Sequence, residues 1–341
     1  LENHPWFEVM DLAASERSAG RIYADAVDSK WLMPSAVPVK YSNQKVRNVL
    51  DFASIPNGIK LIFSAIDLDE KEQTQNLEFR YAADGFPLVS TSSANRWTSD
   101  VPMIIPEINP GHADVIPLQQ HNRDLPETGF VVVKPNCSIQ SYLAALTALD
   151  WSGYPVEKAQ VTTLQALSGA GTKGVTNLDW RETVIPFIDG EEEKTEKEPL
   201  KILGSVTNSG IENANSPQIS ATCTRVSVMH GHTAVVHIIF KDVKPSKKEM
   251  ISIWREFKSE PQNLNLPSAP KNPILYRDEA DRPQAKLDVD AENGMAVNIG
   301  RLEEDTFFDY RFIGLSHNTV RGAAGGAILT AELLLKKGYI K

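Results

Sequence analysis

Short apolar runs alternate with polar, helix-like stretches through the first half of the chain. The runs at 59–66, 86–90 and 129–133 are rich in β-branched residues or aromatics, a composition that predicts buried strands. The stretch 70–83, which lies between the first two runs, has helical character. Strands that alternate with helices predict a mostly parallel, doubly wound sheet, in which ligands bind at the carboxyl ends of the strands.

The beginning of the chain predicts one more strand of this kind, at 7–12, with residues 1–5 as the end of a preceding helix. The polar loop 15–20 then turns away, as the second strand of a dinucleotide-binding fold does where it meets the adenosine ribose. No G-x-G-x-x-G element precedes Leu1, so we expect the chain to begin late within such a fold. The alternative is a simple loop that carries surface charges.

The sequence pattern in the second half of the chain predicts a different arrangement of strands and helices. Longer strands follow one another there, with an amphipathic helix at 246–259 and a last helix whose first turns, at 317–326, contain mostly small residues. Small residues let a second backbone or a flat ligand approach closely, although tight packing on a sheet explains them equally well. The predicted strands are 158–167, 219–229, 233–240, 295–301 and 307–315.

The stretch 134–140, with the sequence KPNCSIQ, joins the strand at 129–133 to a helix predicted over 141–149. Asn136 is a good candidate for the helix N-cap. Cys137 would then lie in the first turn, where unpaired N–H groups and the helix dipole favour an anion and thus a thiolate. The alternative is that Cys137 is a small buried hydrophobic residue, and the stretch alone leaves both interpretations open.

Three further segments carry candidate chemistry. The glycine-rich turn 168–174 lets a backbone approach something closely, but it does not open an amphipathic helix and so is not a P-loop. The charge run 191–198 is typical of a solvated helix start, with acidic residues in its first turn. Arg225 and His232 lie on a predicted strand and just after it, where a single histidine is more often structural than catalytic.

Composition narrows the function classes. The 341 residues, 41% apolar and 23% charged, suggest two domains or one large α/β unit with an insertion. No apolar run approaches the ~18 residues of a membrane span, and we expect no signal peptide. Two cysteines do not make a disulfide framework and favour a reducing, cytoplasmic setting. The net charge of −9 argues against nucleic-acid or membrane partners, so anionic ligands need local arginines and lysines.

Ten stretches in order, spread over almost the whole length, resemble one family: the aspartate-β-semialdehyde dehydrogenases of fungi and archaea. No single stretch is decisive, and the specificity lies in the combination. The stretches are SERSAG (15–20), IFSA (62–65), DVPMIIPEINP (100–110), PNCS (135–138), LQALSGAG (164–171), IPFIDGEEEK (185–194), RVSVMHGH (225–232), DRPQ (281–284), VNIGRL (297–302) and HNTVRGAAGG (317–326).

The resemblance implies two domains. A Rossmann-like, doubly wound α/β domain would bind the dinucleotide and comprise residues 1–136 and 317–341. An α+β catalytic and dimerisation domain, like the C-terminal domain of glyceraldehyde-3-phosphate dehydrogenase, would comprise 137–316. The resemblance also implies a homodimer or homotetramer that acts on small molecules without a metal ion.

The resemblance further implies an oxidoreductase that reduces β-aspartyl phosphate to aspartate β-semialdehyde with NADPH, in the biosynthesis of lysine, threonine, methionine and isoleucine. Cys137 would attack the acyl phosphate and form a thioester, and His232 would be the general acid and base. The other implied roles are Arg225 for the substrate α-carboxylate, Glu191 for its amino group, Arg96 and Lys194 for phosphate, Gln165 and Asn136 at the thiol, Ser15, Arg17 and Ser18 for the 2′-phosphate of NADP, Asn318 for the nicotinamide, and Ser64, Ser168 and Gly169 as further cofactor contacts.

Departures from the family pattern bear on the cofactor. The glycine-rich cofactor turn is absent from the sequence, so the pyrophosphate would lack its helix N-terminus. The loop 90–95 differs from the Ser-Asn that usually follows this strand. Glu16 lies among the expected 2′-phosphate contacts, where its carboxylate repels phosphate and weakens the preference for NADP over NAD. The run of three glutamates at 191–193 leaves open which of them contacts substrate.

Three alternatives accompany this interpretation. The nearest is another acyl-phosphate or acyl-thioester reductase, of the N-acetylglutamyl-phosphate or malonyl-CoA type, since these share the Cys–His chemistry. A cofactor-free Cys–His hydrolase or acyltransferase would leave the segments 15–20 and 318–326 without a purpose. A catalytically silent binding protein is disfavoured by the presence of both Cys137 and His232.

Overall fold

Two main sheets organise the chain in a computed structural model that describes residues 1–33 and 35–341. One sheet has three strands and the other has seven, and two further pairs of short strands lie outside them. The strands are β1 (Ala13–Ala14), β2 (Arg47–Asn48), β3 (Ile62–Ser64), β4 (Pro87–Ser90), β5 (Phe130–Val133), β6 (Val156–Gln165), β7 (Val184–Ile185), β8 (Ser205–Thr207), β9 (Gly210–Glu212), β10 (Gln218–Val226), β11 (His232–Phe240), β12 (Ile274–Arg277), β13 (Val297–Glu304) and β14 (Tyr310–Ser316).

Helices connect and cover these sheets, and short 3₁₀ turns separate several of them. Within the described residues, no helix combines the length and apolar character needed to cross a membrane. The α-helices are α1 (Tyr23–Val27), α2 (Val39–Ser42), α3 (Lys71–Ala83), α4 (Ile116–Asn122), α5 (Leu143–Trp151), α6 (Gly171–Thr176), α7 (Glu191–Ile202), α8 (Lys247–Glu256), α9 (Glu260–Asn263), α10 (Ala285–Asp288) and α11 (Gly325–Lys336).

The three-stranded sheet is parallel, in the order β3-β4-β5, so the carboxyl ends of its strands meet at one edge. Every residue of β4 and β5 is buried, as expected of a parallel sheet that is covered on both faces. Successive residues of β5 face different cores. Val131 belongs to the cluster that contains Leu77 of α3, whereas Val132 belongs to the cluster that contains Leu329 of α11. The predicted doubly wound arrangement is therefore confirmed.

The N-terminal segment differs from the prediction. Residues 1–5 form turns rather than a helix end, and the strand expected at 7–12 is reduced to β1, which pairs in parallel with β2. Among the described residues, the backbone of 7–12 has no strand partner along its length, although Leu12 accepts a bond from the Arg47 N–H at 2.8 Å. An apolar run becomes a strand only where a neighbouring strand completes its ladder, and here this neighbour is missing from the described residues.

The seven-stranded sheet is mixed, in the order β12-β13-β14-β11-β6-β10-β7. β11 runs antiparallel to β6 and β14, whereas β6 and β10 are parallel. Helices α5 and α8 pack beside this sheet. Trp254 of α8 is fully buried, lies 5.3 Å from the Phe312 ring of β14 and donates its indole N–H to the Ala145 carbonyl at 3.0 Å. The predicted α+β layer is thus present, and its core holds the strands that reach the site.

Helix α7 confirms the helix predicted from the charge run 191–198, but this run is not simply solvated. Glu192 accepts a hydrogen bond from the Cys223 N–H at 3.2 Å, and Glu196 accepts one from the Ala221 N–H at 3.0 Å. Both N–H groups belong to β10, which over this stretch has, among the described residues, a strand neighbour only on its β6 side. The carboxylates thus cap an open strand edge and fix α7 against the sheet.

Candidate active site

Cys137 lies between β5 and a 3₁₀ turn at Ser138–Ser141, and α5 begins only after this turn. The prediction that Cys137 lies in the first turn of the long helix is therefore wrong. Contrary to the prediction, Asn136 is not the N-cap of α5; its Oδ1 instead accepts bonds from the Ser138 N–H and Oγ, each at 2.7 Å, at the start of the 3₁₀ turn. Cys137 is partly exposed. A Cβ at Gly322 would lie 2.7 Å from the Cys137 Cβ, so a side chain there would displace the nucleophile.

The thiol of Cys137 is not activated by its surroundings alone. Burial and the nearby Glu191 carboxylate raise its pKa, while the charges of Lys134, Arg96 and Arg225 act in the opposite direction. The expectation of a lowered thiol pKa is therefore not met, because burial and the Glu191 carboxylate outweigh the nearby cations. Formation of the thiolate depends on the cations around it.

His232 begins β11 and is completely buried. Its Nδ1 accepts a hydrogen bond from the Ala166 N–H at 3.0 Å, and its Nε2 has no hydrogen-bond partner within the described part of the chain. Burial and then the charge of Arg225 lower the pKa of His232 to about 3. The ring is consequently neutral near pH 7, and the bond at Nδ1 assigns its proton to Nε2.

Arg225 lies near the end of β10, beside His232. Its Nη1 donates to the Ala166 carbonyl at 2.8 Å, so one backbone residue holds both side chains. A Cβ at Gly169 would lie 2.7 Å from the Arg225 Nη1 and 2.9 Å from the His232 Nε2. Glycine is therefore required beside these two groups, which explains part of the glycine-rich turn.

Glu191 differs from the other two of the three consecutive glutamates in its surroundings. It is the buried one, whereas Glu192 binds β10 and Glu193 pairs with a surface lysine. Its carboxylate accepts bonds from Asn136 Nδ2, Gln165 Nε2 at 3.1 Å and Lys194 Nζ at 2.9 Å. Burial would raise the pKa of Glu191, but Lys194 and these amide donors hold it below its ordinary value. The predicted residues Asn136, Gln165, Glu191 and Lys194 therefore meet in one cluster beside Cys137.

Arg96, which was expected to bind phosphate, is already held by other groups of the protein. Its guanidinium donates to the carbonyls of Lys134 and Thr91 and to the Glu198 carboxylate at 2.9 Å. Glu198 also accepts a bond from the Asn136 N–H at 2.5 Å. Sequence reasoning missed Glu198, although it follows Glu191 by seven residues and so lies on the same face of α7. It links Arg96 to the backbone beside the nucleophile.

The residues expected on the nicotinamide side of the site also lie beside Arg225 and His232. Asn318 is buried, its Oδ1 accepts a bond from the Gly231 N–H, and its Nδ2 donates to Ser168 Oγ, both at 2.9 Å. His230 Nδ1 lies 3.1 Å from the same hydroxyl. Asn318 and Ser168 are thus fixed next to Gly231, the residue that precedes His232.

The expected adenosine side lines a groove of about 750 Å³ between the segment 7–14 and β3. Ser15, Ser18 and Ser64 all line it, while Arg17 is exposed on the neighbouring turn. Ser64 Oγ donates to the buried Glu78 at 2.8 Å. The lining residues of this groove include no glycine-rich phosphate turn. Among the described residues, no three His, Cys, Asp or Glu side chains are placed to hold a metal ion.

Comparisons with known proteins fit this geometry. Family models match for "semialdehyde dehydrogenase, NAD binding domain" over residues 1–116 and "semialdehyde dehydrogenase, dimerisation domain" over residues 152–321. An aspartate-semialdehyde dehydrogenase of Archaeoglobus fulgidus is 40% identical, over all of this chain and 94% of the relative. A malonyl CoA reductase (NADP) of Metallosphaera sedula is 38% identical, over all of this chain and 93% of the relative. The crystal structure of aspartate semialdehyde dehydrogenase with NADP from Candida albicans has a TM-score of 0.86 and 34% identity, covering 99% of this chain and 94% of that one.

Proposed function

The chain belongs to the semialdehyde dehydrogenase family, and we propose that it is an aspartate-semialdehyde dehydrogenase. It reduces β-aspartyl phosphate to aspartate β-semialdehyde with NADPH and releases phosphate, a step in the biosynthesis of the aspartate-derived amino acids. The observation that carries this substrate is the presence of two buried groups of opposite charge, Arg225 and Glu191, whose charges both act on a partly exposed thiol.

The substrate's amino-acid end matches these two groups. Arg225 uses Nη1 on the Ala166 carbonyl, which leaves its other donors for a planar carboxylate. Glu191 is ionised, because Lys194 and two amide donors hold its pKa low, and an anionic carboxylate suits the substrate ammonium. Malonyl-CoA carries a carboxylate but no ammonium group. The buried Glu191 therefore favours the amino-acid substrate over that alternative.

The acyl-transfer step uses Cys137 and the surrounding cations. The thiolate forms a C–S bond to the acyl carbon while the C–O bond to phosphate breaks, and the departing phosphate takes up, through solvent, the proton that the Cys137 thiol has lost. Lys194 is the less constrained cation for this anion, because Arg96 already binds Glu198 and two carbonyls. His232 holds its proton at Nε2 and donates it toward the negative charge that develops on the acyl oxygen.

The residues present fit a nicotinamide cofactor. Gly322 leaves only backbone against Cys137, and Asn318 and Ser168 hold fixed polar groups beside the His232 strand. Ser15 and Ser18 line the groove, and Arg17 is exposed on the neighbouring turn. NADPH, when bound, supplies the hydride that reduces the thioester. His232 then stabilises the resulting oxyanion, whose collapse breaks the C–S bond and returns Cys137 as the thiolate.

Domain boundaries and assembly follow from packing. We propose that residues 1–136 and 317–341 form the dinucleotide domain, because α11 shares a core cluster with the parallel strands, and that 137–316 form the catalytic domain. A second copy of the chain would cover the apolar side chains of Leu178, Val184 and Phe187, which are exposed by 60–72%. The assembly is then a homodimer or homotetramer. Two free cysteines and a thiolate mechanism suit the reducing cytoplasm.

The direct test is formation of NADPH from aspartate semialdehyde, phosphate and NADP by the purified full-length protein. We expect turnover that depends on phosphate, loss of all turnover in Cys137→Ala, and retained turnover in the matched variant Cys223→Ala, whose buried thiol contacts the Thr195 hydroxyl. The same preparations are offered malonyl-CoA or N-acetylglutamyl phosphate with NADPH. Faster turnover of either than of β-aspartyl phosphate would assign the chain to another reductase, and turnover without any nicotinamide would exclude a dehydrogenase.

A further inference from the structure

Lys134 is a buried lysine without a carboxylate partner. Its side chain follows β5 and the residue is only 3% exposed. Its ammonium donates to the carbonyl of Pro135, and within residues 1–33 and 35–341 no carboxylate lies within ion-pair distance of it. Buried lysines are nearly always paired, because an isolated ammonium loses its hydration without compensation. An unpaired one therefore needs an explanation.

The position of Lys134 relates it to the nucleophile. It precedes Cys137 by three residues on the same turn, and both side chains face the stripe of small residues that leads into α11. A Cβ at Gly326 would lie 3.5 Å from the Lys134 Cδ, while one at Gly322 would lie 2.7 Å from the Cys137 Cβ. The charge of each group acts on the other, because the thiolate favours the ammonium and the ammonium favours the thiolate.

The charges around Lys134 leave it uncompensated. Its two cationic neighbours each have a carboxylate already, Arg96 with Glu198 at 2.9 Å and Arg321 with Glu107 at 2.7 Å. Burial and then the charge of Arg96 lower the pKa of Lys134 to about 7, and Glu198 only partly offsets them. The ammonium thus becomes favourable when a further anion appears beside it.

His232 is not suited to supply that compensation. Its Nδ1 accepts from the Ala166 N–H and its proton is at Nε2, so accepting a second proton requires breaking the Nδ1 bond. Arg225 is committed to the substrate carboxylate in the proposed function, and Arg96 is held by Glu198. Lys134 is the remaining cation among the three that act on Cys137.

We propose that Lys134 is a positioning residue for the nucleophile: its ammonium compensates the negative charge on Cys137 Sγ and so maintains the thiolate in a largely desolvated site. The inference rests on the proposed function in taking Cys137 as the reacting thiol and Arg225 as the ligand of the substrate carboxylate. Lys134 acts through Cys137 and binds neither the substrate amino group nor its carboxylate.

The test measures the thiol directly, without substrate or cofactor. The rate of Cys137 alkylation by iodoacetamide is followed against pH in the full chain by mass spectrometry, in wild type, Lys134→Met and Lys134→Arg. We expect Lys134→Met to slow alkylation about tenfold at pH 7 and to shift its pH profile upward, as for loss of one nearby opposite charge. Lys134→Arg keeps the charge and is expected to restore most of the rate.

Stability distinguishes this role from a structural one. Methionine fills a similar volume without a buried charge, so Lys134→Met is expected to unfold at the same temperature as wild type or higher. The matched control is Lys201→Met, which removes another buried lysine, one that donates to the carbonyls of Arg96, Thr98 and Val101. It is expected to lower the unfolding temperature and leave the alkylation profile in place.

An unchanged alkylation profile in Lys134→Met, or the same upward shift in Lys201→Met, would overturn the proposal. If Lys134→Met does not fold, Lys134→Gln is measured instead, with the same expected slowing. Dehydrogenase activity is measured separately. A protein that fails to reduce β-aspartyl phosphate but shows the shifted thiol profile would refute the proposed function and leave the role of Lys134 standing.

Discussion

Replacement of Gly322 by alanine perturbs the nucleophile with the smallest side chain available. The added Cβ would lie 2.7 Å from the Cys137 Cβ and 3.2 Å from its Cα. Nonbonded carbons rest about 3.5–4.0 Å apart, so Cys137 or the turn that carries Gly322 must move by about 1 Å. Overpacking of this kind costs about 1–3 kcal/mol of folding stability. A displacement of about 1 Å at the reacting atom reduces turnover about a hundredfold.

The assay compares kcat/KM for aspartate semialdehyde oxidation, together with the urea midpoint, in Gly322→Ala and in Gly325→Ala. The control adds the same methyl group in the same stripe, where its nearest atom is the flexible Met295 Sδ at 2.7 Å. We expect both variants to lose some stability and only Gly322→Ala to lose about a hundredfold in kcat/KM. Equal activities in the two variants would refute the argument that Gly322 holds Cys137 in its reactive position.

Three other perturbations test separate parts of the site. Arg225→Lys removes the paired donors of a guanidinium, so we expect kcat/KM for β-aspartyl phosphate to fall at least about tenfold because KM rises. The unfolding temperature is expected to stay unchanged. An unchanged KM would mean that another residue binds the substrate carboxylate. Glu198→Gln leaves the buried Arg96 without its carboxylate, so urea unfolding is expected to show a loss of about 3 kcal/mol, whereas a loss below about 1 kcal/mol would contradict a structural ion pair. Burial holds the pKa of His232 at about 3, below the 6.5 of the unfolded chain, so its contribution to stability is complete above pH 6.5 and is lost as the pH falls toward 3. About 2 kcal/mol is expected to disappear between pH 7.5 and 5, and His232→Gln is expected to lose correspondingly less over this range.

The parallel sheet could be predicted because its strands carry their own signal. Each residue of β4 and β5 is buried, so the sequence shows continuous apolar runs, and the polar helix α3 separates β3 from β4. A local bond of the Asn136 side chain was equally predictable, because an Asx side chain bonds the backbone two residues further on, although Asn136 is not the N-cap of α5. Local interactions of this kind can be predicted because their partners are close together in the sequence. The predicted strand at 7–12 failed because a strand also needs a partner that sequence periodicity does not reveal.

The missed residues are those whose role depends on distant partners. Glu198 binds Arg96 across 102 positions of the chain, and nothing in the charge run 191–198 distinguishes it from its solvated neighbours. For the same reason the sequence did not reveal that Arg96 is bound by Glu198. In the sequence Arg96 is simply a cation near a strand end. His232 was assigned a role through the resemblance. The Ala166 N–H that orients its ring belongs to a different strand end, 66 positions earlier.

The cations of the site fall into two groups, and this division explains how an acidic protein can bind a doubly anionic substrate. Arg96 and Arg321 each have a buried glutamate as partner, and their charge is therefore neutralised within the fold. Among the described residues, neither Arg225 nor Lys134 lies within ion-pair distance of a carboxylate, and Lys194 is partly exposed beside Glu191. The net charge of −9 gives no general attraction for anions. Affinity for the carboxylate, the phosphate and the thiolate must then come from these less committed cations, and loss of any one of them is expected to affect a different anion of the reaction.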